Sequence, residues 1–561
     1  MSRQEGSRLR FRLSPIASAI VLTAFIPKAF AFSVDSADPD VSVRFDNTVK
    51  YSAAWRTSAV DSAVAAGPGT AVPNPNLDDG DRNFKKGLIS NRFDLLSELD
   101  FSYKNQYGFR VSAAAWYDDV YNRGNDNDSA ATNNNFSVGP NAFPNATKKL
   151  QGQDAEFLDA FVFGKFNVAD SDVNVRVGRF TQLFGESLFF GGNGIAAAQS
   201  SMDIVKLVAV PSAQFKEILR PVGQVSGTVQ LSPQFSVSAY YQYEWRKARL
   251  PAVGSYFSFA DFADDGGERV IAGAPIVPGG GPAAFFRGTD LKAKNSGQGG
   301  IAFKYKVNDW EFGLYGARFH DKFPQFYFRP GVGGVNVATG RIGDYVLVYG
   351  EDIKVIGGSF STLVGETNLG GEVSFRDNMP LQAVGNVVVD PTGTGNGGGN
   401  PLYPVGKTAH AQISAIQVMG ASPLWQGASF LGELAFNRLL SITKNPSQLD
   451  PNVTRDAWAA RFIFQPEYFE VIPQVNLQVP IGLGYGLKGS SAINGIGFPA
   501  HHGGDFSIGL KADYQKLWYG SLSYTQFLGD KGPVVDALGQ LSGNQQLKDR
   551  NFISLSIQRT F

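Results

Sequence analysis

The chain contains 561 residues, with 65 glycines, 13% aromatic residues and no cysteine. Its 50 basic and 50 acidic residues give a net charge of zero, which argues against a nucleic-acid-binding protein because such proteins need a basic surface. The absence of cysteine excludes disulfides, thiol nucleophiles and cysteine-ligated metal centres, and we expect no cofactor.

The first 31 residues have the organisation of a signal peptide. Four arginines within the first twelve residues precede the apolar stretch 13–26, and Ala29-Phe30-Ala31 has the pattern of a cleavage site. The apolar stretch is shorter than the roughly 20 residues that a membrane-spanning helix needs. We therefore expect cleavage after Ala31, which leaves 32–561 as a single exported domain.

Apolar and polar residues alternate along much of the remaining chain, which is typical of β-strands with one apolar face. The alternation is clearest in residues 41–56, 92–103, 235–246 and 506–514. It recurs in the last ten residues, which end on Phe561 as outer-membrane barrels commonly do. An edge strand of a soluble sheet is the alternative for this last segment.

Short turns and long loops separate these strands. The eight short turns lie near 104–107, 169–172, 232–234, 308–309, 365–367, 421–426, 467–472 and 515–517, and the nine long loops near 57–89, 120–152, 183–220, 248–296, 320–350, 378–406, 441–454, 488–503 and 530–548. Short periplasmic turns and long extracellular loops are typical of outer-membrane barrels. The pattern predicts an all-β transmembrane antiparallel β-barrel of about 18 strands; a propeller or solenoid would need an internal repeat, which we do not find.

The third long loop, 183–220, is unusually rich in alanine and valine for a loop in water. A barrel of this size is too wide for its own wall side chains to fill. We expect the loop to fold into the lumen as a constriction, with a surface loop containing local helix as the alternative. The expected constriction residues are Asn193, Ile195, Met202, Asp203, Lys206, Gln214 and Phe215.

Charged residues at the inward positions of the strands are the expected pore lining. Opposite signs on facing walls would produce a transverse field that orients polar solutes, whereas pairs between neighbouring strands would only neutralise each other. Such a mixed lining predicts weak ion selectivity. The expected lining residues are Arg44, Asp46, Lys50, Arg92, Asp94, Glu98, Asp100, Arg110, Asp118, Arg176, Arg246 and Arg461.

Two oxygen-rich segments could bind calcium. These are Asp78, Asp79 and Asp81 around Gly80, and the run 125–128. Neither matches the twelve-residue calcium loop. We expect solvated surface turns in both segments and no metal.

One strand carries residues with catalytic potential. His410, Gln412 and Ser414 share its inward face, and some outer-membrane barrels are hydrolases that use Ser and His. No G-x-S-x-G or H-E-x-x-H motif is present. We therefore expect pore lining at these positions and no enzymatic activity.

Several segments carry a family resemblance. They are 76–84, 91–98, 114–118, 184–189, 194–199 and 250–256. With these segments the chain resembles the proteobacterial outer-membrane family designated domain of unknown function 1302, over almost the whole mature chain. The resemblance implies a barrel without assigned catalytic residues. It also implies a periplasmic lipoprotein-sorting-like protein and an inner-membrane pump as partners, and cargo such as steroids, long-chain esters or terpenes.

Together these features predict an outer-membrane channel or transporter that passes a small hydrophobic or amphipathic solute through an aqueous barrel narrowed by the 183–220 loop. Its expected partners are membrane lipids and the solute. A surface hydrolase of esterase type is one alternative. A structural or export partner of a periplasmic and inner-membrane complex is the other, although the short periplasmic turns offer it little docking surface.

Overall fold

The structure is a computed structural model that describes residues 32–34, 38–66, 74–199, 201–209, 218–495 and 497–561. The expected signal peptide, 1–31, lies outside the described residues. Within the described ranges, no helix has both the length and the apolar character required to cross a membrane.

Eighteen antiparallel strands form one closed barrel, as the sequence predicts. Each strand pairs with its neighbours in the sequence, and the last strand pairs with the first from Thr48↔Thr560 to Arg56↔Phe552. A short segment, Phe32–Val34, extends this seam. The barrel strands are β1 Val41–Arg56, β2 Gly87–Tyr103, β3 Tyr107–Asp118, β4 Gln153–Val168, β5 Ser171–Phe180, β6 Val222–Gln230, β7 Phe235–Gln242, β8 Gln298–Val307, β9 Trp310–Phe319, β10 Ile353–Val364, β11 Thr367–Pro380, β12 Val405–Met419, β13 Gly427–Lys444, β14 Asp456–Ile472, β15 in two parts, Val475–Gln478 and Ile481–Lys488, β16 Gly504–Tyr514, β17 Trp518–Leu528 and β18 Phe552–Thr560.

The alternation of the sequence sorts side chains between the two surfaces of the barrel. Apolar side chains such as Leu314 and Ile356 point outward and are 66% and 67% exposed. Polar side chains point inward, and Ser521 and Ser556 meet there at 2.7 Å. Because a closed sheet pairs its own backbone groups, its apolar outer band can face lipid. The protein is therefore an outer-membrane barrel.

The two ends of the barrel have very different connections. One of the two-residue turns, Ala169–Asp170, joins β4 to β5 with φ of 49° and 63°, which fits the turn types that follow the twist of a hairpin. The connections at the opposite, extracellular end are L1 57–86, L2 119–152, L3 181–221, L4 243–297, L5 320–352, L6 381–404, L7 445–455, L8 489–503 and L9 529–551. These long loops pack together over the barrel mouth.

The loops contain the short helices and the remaining strands. The α-helical segments are α1 Asp79–Arg82, α2 Asp119–Asn122, α3 Asn145–Thr147 and α4 Ile204–Ala209; 3-10 segments cover Ala130–Thr132, Ile195–Ala198, Val384–Asn386 and Pro446–Gln448, and a π segment covers Lys148–Gly152. L4, L5 and L6 together build a five-stranded sheet from Arg269–Pro275, Pro282–Arg287, Arg341–Val348, Gln325–Pro330 and Val387–Val389, and L3 contains the pair Ser201–Met202 and Leu219–Arg220.

Two predicted strand boundaries are wrong. The expected turn 467–472 belongs to β14, because the ladder continues to Ile472↔Val475 and the side chain of Phe469 is exposed on the outer surface. The strand expected over 235–246 ends at Gln242. Beyond it Trp245 enters the packed loops, where its ring lies 4.7 Å from that of Tyr349.

The prediction of a solvated surface turn around Gly80 is also wrong. Asp78, Asp79 and Asp81 are only 1–2% exposed, because L4 and L9 cover α1 and Arg56 and Arg550 contact Asp81. In the second oxygen-rich segment, 125–128, only Asn127 is buried.

Candidate functional site

L3 crosses the interior of the barrel. It leaves the wall after β5, and its backbone reaches Glu372 on β11, which accepts hydrogen bonds from the N–H groups of Glu186 (2.9 Å) and Ile195 (3.0 Å). In a ring of eighteen strands, β14 lies opposite β5, and β11 is three strands away from β14. Residues 186–195 therefore lie against the side of the wall that faces β5 across the lumen.

Two further wall residues fix the same segment. Glu433 on β13 accepts hydrogen bonds from three consecutive N–H groups, those of residues 188–190, at 3.1, 2.6 and 2.7 Å. Arg376 on β11 donates to the three carbonyl oxygens of residues 192–194 at 3.0, 2.8 and 2.7 Å. Hydrogen bonds to buried charged groups contribute about 1.5–3 kcal/mol each, so L3 is strongly attached.

The three residues with catalytic potential also serve this attachment. Both ring nitrogens of His410 have partners, Thr408 Oγ1 at 2.8 Å and Asn193 Oδ1 at 2.9 Å, and the residue is 3% exposed. Gln412 accepts a hydrogen bond from Asn193, and Ser414 donates to the carbonyl of Glu186. A buried histidine between these partners is not placed to activate a nucleophile, which weakens the hydrolase alternative.

Helix α4 lies further along L3 and is fixed at its first turn. Asp203 accepts a hydrogen bond from the N–H of Lys206 at 3.1 Å, as capping residues do, and forms an ion pair with Arg249 at 2.9 Å. Arg249 also pairs with Glu156 on β4 at 2.7 Å. The helix is thereby tied to both L4 and the barrel wall.

The two faces of α4 border different cavities. Ile204, Leu207 and Val208, spaced as one helical face, line a cavity of about 530 Å³. Val205 and Lys206, on the other face, line a second cavity of about 500 Å³. Helix α4 thus stands between them.

The first cavity lies between the extracellular loops and is mainly apolar. Its wall combines residues of L1, L3, L4, L5, L6, L8 and L9. Aromatic residues dominate it, namely Phe189, Phe190, Phe259, Phe262, Phe323, Phe326 and Phe328. Its volume falls within the range of about 300–1,000 Å³ that is usual for small-molecule sites.

The second cavity lies within the barrel. Charged and hydroxyl side chains of β1, β2, β16, β17 and β18 line it together with apolar side chains such as Trp116, Phe257 and Phe552. Cations outnumber anions in its wall. The charged lining residues are Lys50, Arg92, Lys206, Arg249 and Lys511 against Asp94, Asp118 and Asp203. An anionic group is therefore the better match for this cavity.

Five of the twelve expected pore-lining residues form ion pairs within one stretch of wall. Arg44 contacts Asp46 at 2.8 Å and Asp100 at 3.4 Å, and Arg110 contacts Asp100 at 3.2 Å as well as Glu98. These are the contacts of the ion-pair alternative, between neighbouring positions on β1–β3, and not of charges facing each other across the lumen.

Of the other lining residues, Lys50, Arg92, Asp94 and Asp118 lie on the same three strands, Arg176 lies on β5, Arg461 on β14 and Arg246 in L4. Arg92 pairs with Asp94 at 2.7 Å, Arg246 with Glu156 at 3.0 Å and Arg461 with Asp505 at 3.0 Å. Arg176 lies over the ring of Phe161, Lys50 borders the second cavity, and Asp118 accepts hydrogen bonds from Ser90 and from the N–H of Asn91.

The expected constriction residues have different positions. Asn193 and Ile195 lie in the attachment to the wall, Met202 and Asp203 precede α4, and Lys206 lies on it. Gln214 and Phe215 lie outside the described residues.

Sequence reasoning missed Glu372, Glu433 and Arg376, which resemble any inward polar residue. It also missed the apolar face of α4, although the i, i+3, i+4 spacing of Ile204, Leu207 and Val208 was a usable signal.

Comparisons with known proteins place the chain as follows. The family model described as protein of unknown function (DUF1302) matches residues 12–561. The chain is similar to Acinetobacter baumannii OccAB4, with 8% identity over 92% of this chain and 98% of that chain and a TM-score of 0.40. It is similar to Pseudomonas aeruginosa OccK8 (OprE), with 10% identity over 92% of this chain and 98% of that chain and a TM-score of 0.39. No curated protein sequence matches it.

Proposed function

The chain belongs to the family described as protein of unknown function (DUF1302), and we propose that it is an outer-membrane channel for a small amphipathic solute. The observation that carries this proposal is the position of α4 between an apolar cavity among the extracellular loops and a charged cavity inside the barrel.

The barrel provides the path across the membrane. Eighteen strands enclose a lumen too wide for their own side chains to close. Residues 186–195 of L3 and helix α4 reduce this width, so a solute must pass beside them. This is the arrangement expected of a selective channel, in which passage depends on contacts at a narrow region.

The apolar cavity suits the body of the solute. Its phenylalanine rings and the face formed by Ile204, Leu207 and Val208 can contact aliphatic or ring carbon on several sides. Each CH₂ group moved from water into such surroundings contributes about 0.8 kcal/mol. A solute with a hydrocarbon portion is therefore retained here, whereas a fully polar solute is not.

The charged cavity suits the other end of the solute. Lys206 lies on the helix itself and Lys50 and Lys511 lie on the wall, so a carboxylate or sulfonate leaving the apolar cavity meets cations directly beyond α4. Opposite charges nearby compensate for the loss of water around the anionic group. The solute class we propose is accordingly a small anion with an apolar body.

Alkylsulfonates test this proposal, because they stay ionised and differ only in chain length. We expect decanesulfonate to block the single-channel current in planar bilayers at a concentration at least tenfold lower than ethanesulfonate. Leu207→Asn places an amide in the apolar cavity at a cost of about 1–3 kcal/mol, which raises the half-blocking concentration roughly 5- to 150-fold.

Val205→Asn is the matched control, since it introduces the same amide one helical face away, in the charged cavity. It should leave the half-blocking concentration within about twofold of the original protein, because an amide is readily accommodated among polar groups. Equal block by the two sulfonates, or equal effects of the two substitutions, would refute the proposed role of α4.

A further inference from the structure

Three buried carboxylates from two loops meet beside the apolar cavity. Asp78 precedes α1 in L1, Asp79 begins it, and Asp261 belongs to L4. One carboxylate oxygen of each lies within 4.8 Å of the others, and the residues are 1%, 2% and 1% exposed. Carboxylates this deeply buried need compensation by a positive charge or by hydrogen bonds.

The surrounding arginines compensate only some of the acids. Arg82 pairs with Asp78, and Arg56 and Arg550 pair with Asp81, Arg56 also with Asp549. Within the described residues, neither Asp79 nor Asp261 forms an ion pair. When all five carboxylates (Asp78, Asp79, Asp81, Asp261 and Asp549) are ionised, the three guanidinium groups leave two negative charges, which a divalent cation would neutralise.

Unsatisfied oxygen atoms point to a ligand at the same place. Asp78 Oδ1 and Asp261 Oδ1 are buried without a hydrogen-bond partner, and so is the amide oxygen of Asn83, a residue that is 5% exposed. Asn83 follows Asp79 by four residues, and its amide nitrogen donates to the carbonyl of Gly254 at 2.8 Å. A Cβ on Gly254 would lie 2.7 Å from that amide nitrogen and 3.9 Å from Asp79 Cβ, so the two side chains are neighbours.

We propose that Asp78, Asp79 and Asp261, together with the amide oxygen of Asn83, bind one Ca²⁺ ion that links L1 to L4. Carboxylate and amide oxygens are the ligands of a hard cation, and Ca²⁺ tolerates irregular sets of them better than Mg²⁺ does. The competing state is proton binding. Burial, with the neighbouring Asp78 carboxylate, raises the pKa of Asp79 to about 7. Ca²⁺ binding must therefore be measured above pH 7, where protons compete less for the site.

The cation would also shape the apolar cavity. Leu77, next to Asp78, and Ala260 and Phe262, on either side of Asp261, line that cavity. The N–H of Asp261 donates to the carbonyl of Asn76 at 2.8 Å, so the two loops already touch beside the carboxylates. The proposed cation site does not depend on the proposed function. Only the influence of the cation on block by the solute rests on that function.

Titration calorimetry at pH 8 tests the site by measuring Ca²⁺ binding to the full protein. The protein is first refolded in lipopolysaccharide-free detergent and stripped of metal with chelator. We expect one Ca²⁺ per chain with a dissociation constant of about 10⁻⁴–10⁻³ M or tighter, weaker binding of Mg²⁺, and a higher unfolding temperature with Ca²⁺. Asp261→Asn and Asp79→Asn should each weaken Ca²⁺ binding at least tenfold. Asp128→Asn, which removes an exposed acid of L2, should not change it.

Heat-modifiable electrophoretic mobility shows which variants have folded. If one of the two cluster variants does not fold, the other supplies the comparison, and the stoichiometry of the original protein stands by itself. The proposal is overturned if the original protein shows no saturable Ca²⁺ binding at pH 8. It is equally overturned if binding persists unchanged in a folded Asp261→Asn or Asp79→Asn variant, or if Asp128→Asn removes it.

Discussion

Removal of the Glu433 carboxylate should release L3 from the barrel wall. Glu433 accepts hydrogen bonds from three consecutive N–H groups of L3, at residues 188–190, and is 1% exposed. In Glu433→Ala these three donors lose their partner in a place that water reaches poorly. The cost falls on the attached state of the loop, because a released loop can form hydrogen bonds with water.

The size of the effect follows from the number of donors. Each buried donor left without a partner costs about 1–3 kcal/mol, so three cost about 3–9 kcal/mol. At about 1.4 kcal/mol for each factor of ten, the ratio of attached to released loop falls by about 10²–10⁶. Glu372 and Arg376 still hold residues 186–187 and 192–195, so adding Glu372→Ala should extend the release.

Single-channel recording in planar bilayers measures the consequence. We expect a higher mean conductance in Glu433→Ala, higher still in the double variant, with fluctuations as the loop moves. Glu98→Ala is the matched control, because Glu98 is also an inward glutamate but pairs with Arg110 on the wall. Unchanged conductance in a folded double variant, or the same increase in Glu98→Ala, would refute the view that L3 restricts the lumen.

Two further predictions concern charge. Burial raises the pKa of Glu186 in L3 to about 7, with Glu311 and Glu372 adding to this effect and Lys304 opposing it. The group is therefore ionised above pH 7 and neutral below it. Reversal potentials in a KCl gradient should shift toward anion preference between pH 8 and pH 6, and Glu186→Gln should lose most of that shift. Arg56→Met leaves Asp81 and Asp549 without the guanidinium that now lies 2.9 and 2.6 Å away. Breaking a buried pair in this way costs about 3–5 kcal/mol, so the heat-modifiable mobility transition should occur at a clearly lower temperature; an unchanged transition would contradict the importance of this network.

The barrel itself was largely predictable from the sequence. β1 has the predicted bounds, 41–56, because lipid on one side and the lumen on the other impose the same alternation on every strand. The boundary errors have local causes. The polar residues and proline near 467 suggest a turn, but cross-strand pairing carries β14 to Ile472, and Trp245 leaves the ladder because the loops provide a buried place for it.

The candidate site was predictable only in part. The alanine and valine content of L3 pointed to an inward loop, but nothing local in the sequence indicates that Glu372 and Glu433 receive it. The carboxylate cluster shows the same limit. Asp79 and Asp261 are 182 positions apart, and the acids around Gly80 look like a solvated turn until L4 and L9 cover them. Contacts between distant loops depend on the closed barrel that brings their ends together.

The most direct test of the central claim is permeation of an amphipathic anion through the reconstituted protein. Reversal potentials measured with decanesulfonate as the only anion on one side give its permeability relative to a common cation. We predict measurable decanesulfonate permeability in the original protein and a clear decrease in Leu207→Asn, with Val205→Asn unchanged. A channel that conducts small ions but gives no decanesulfonate permeability, in the original protein and both variants alike, would contradict the account.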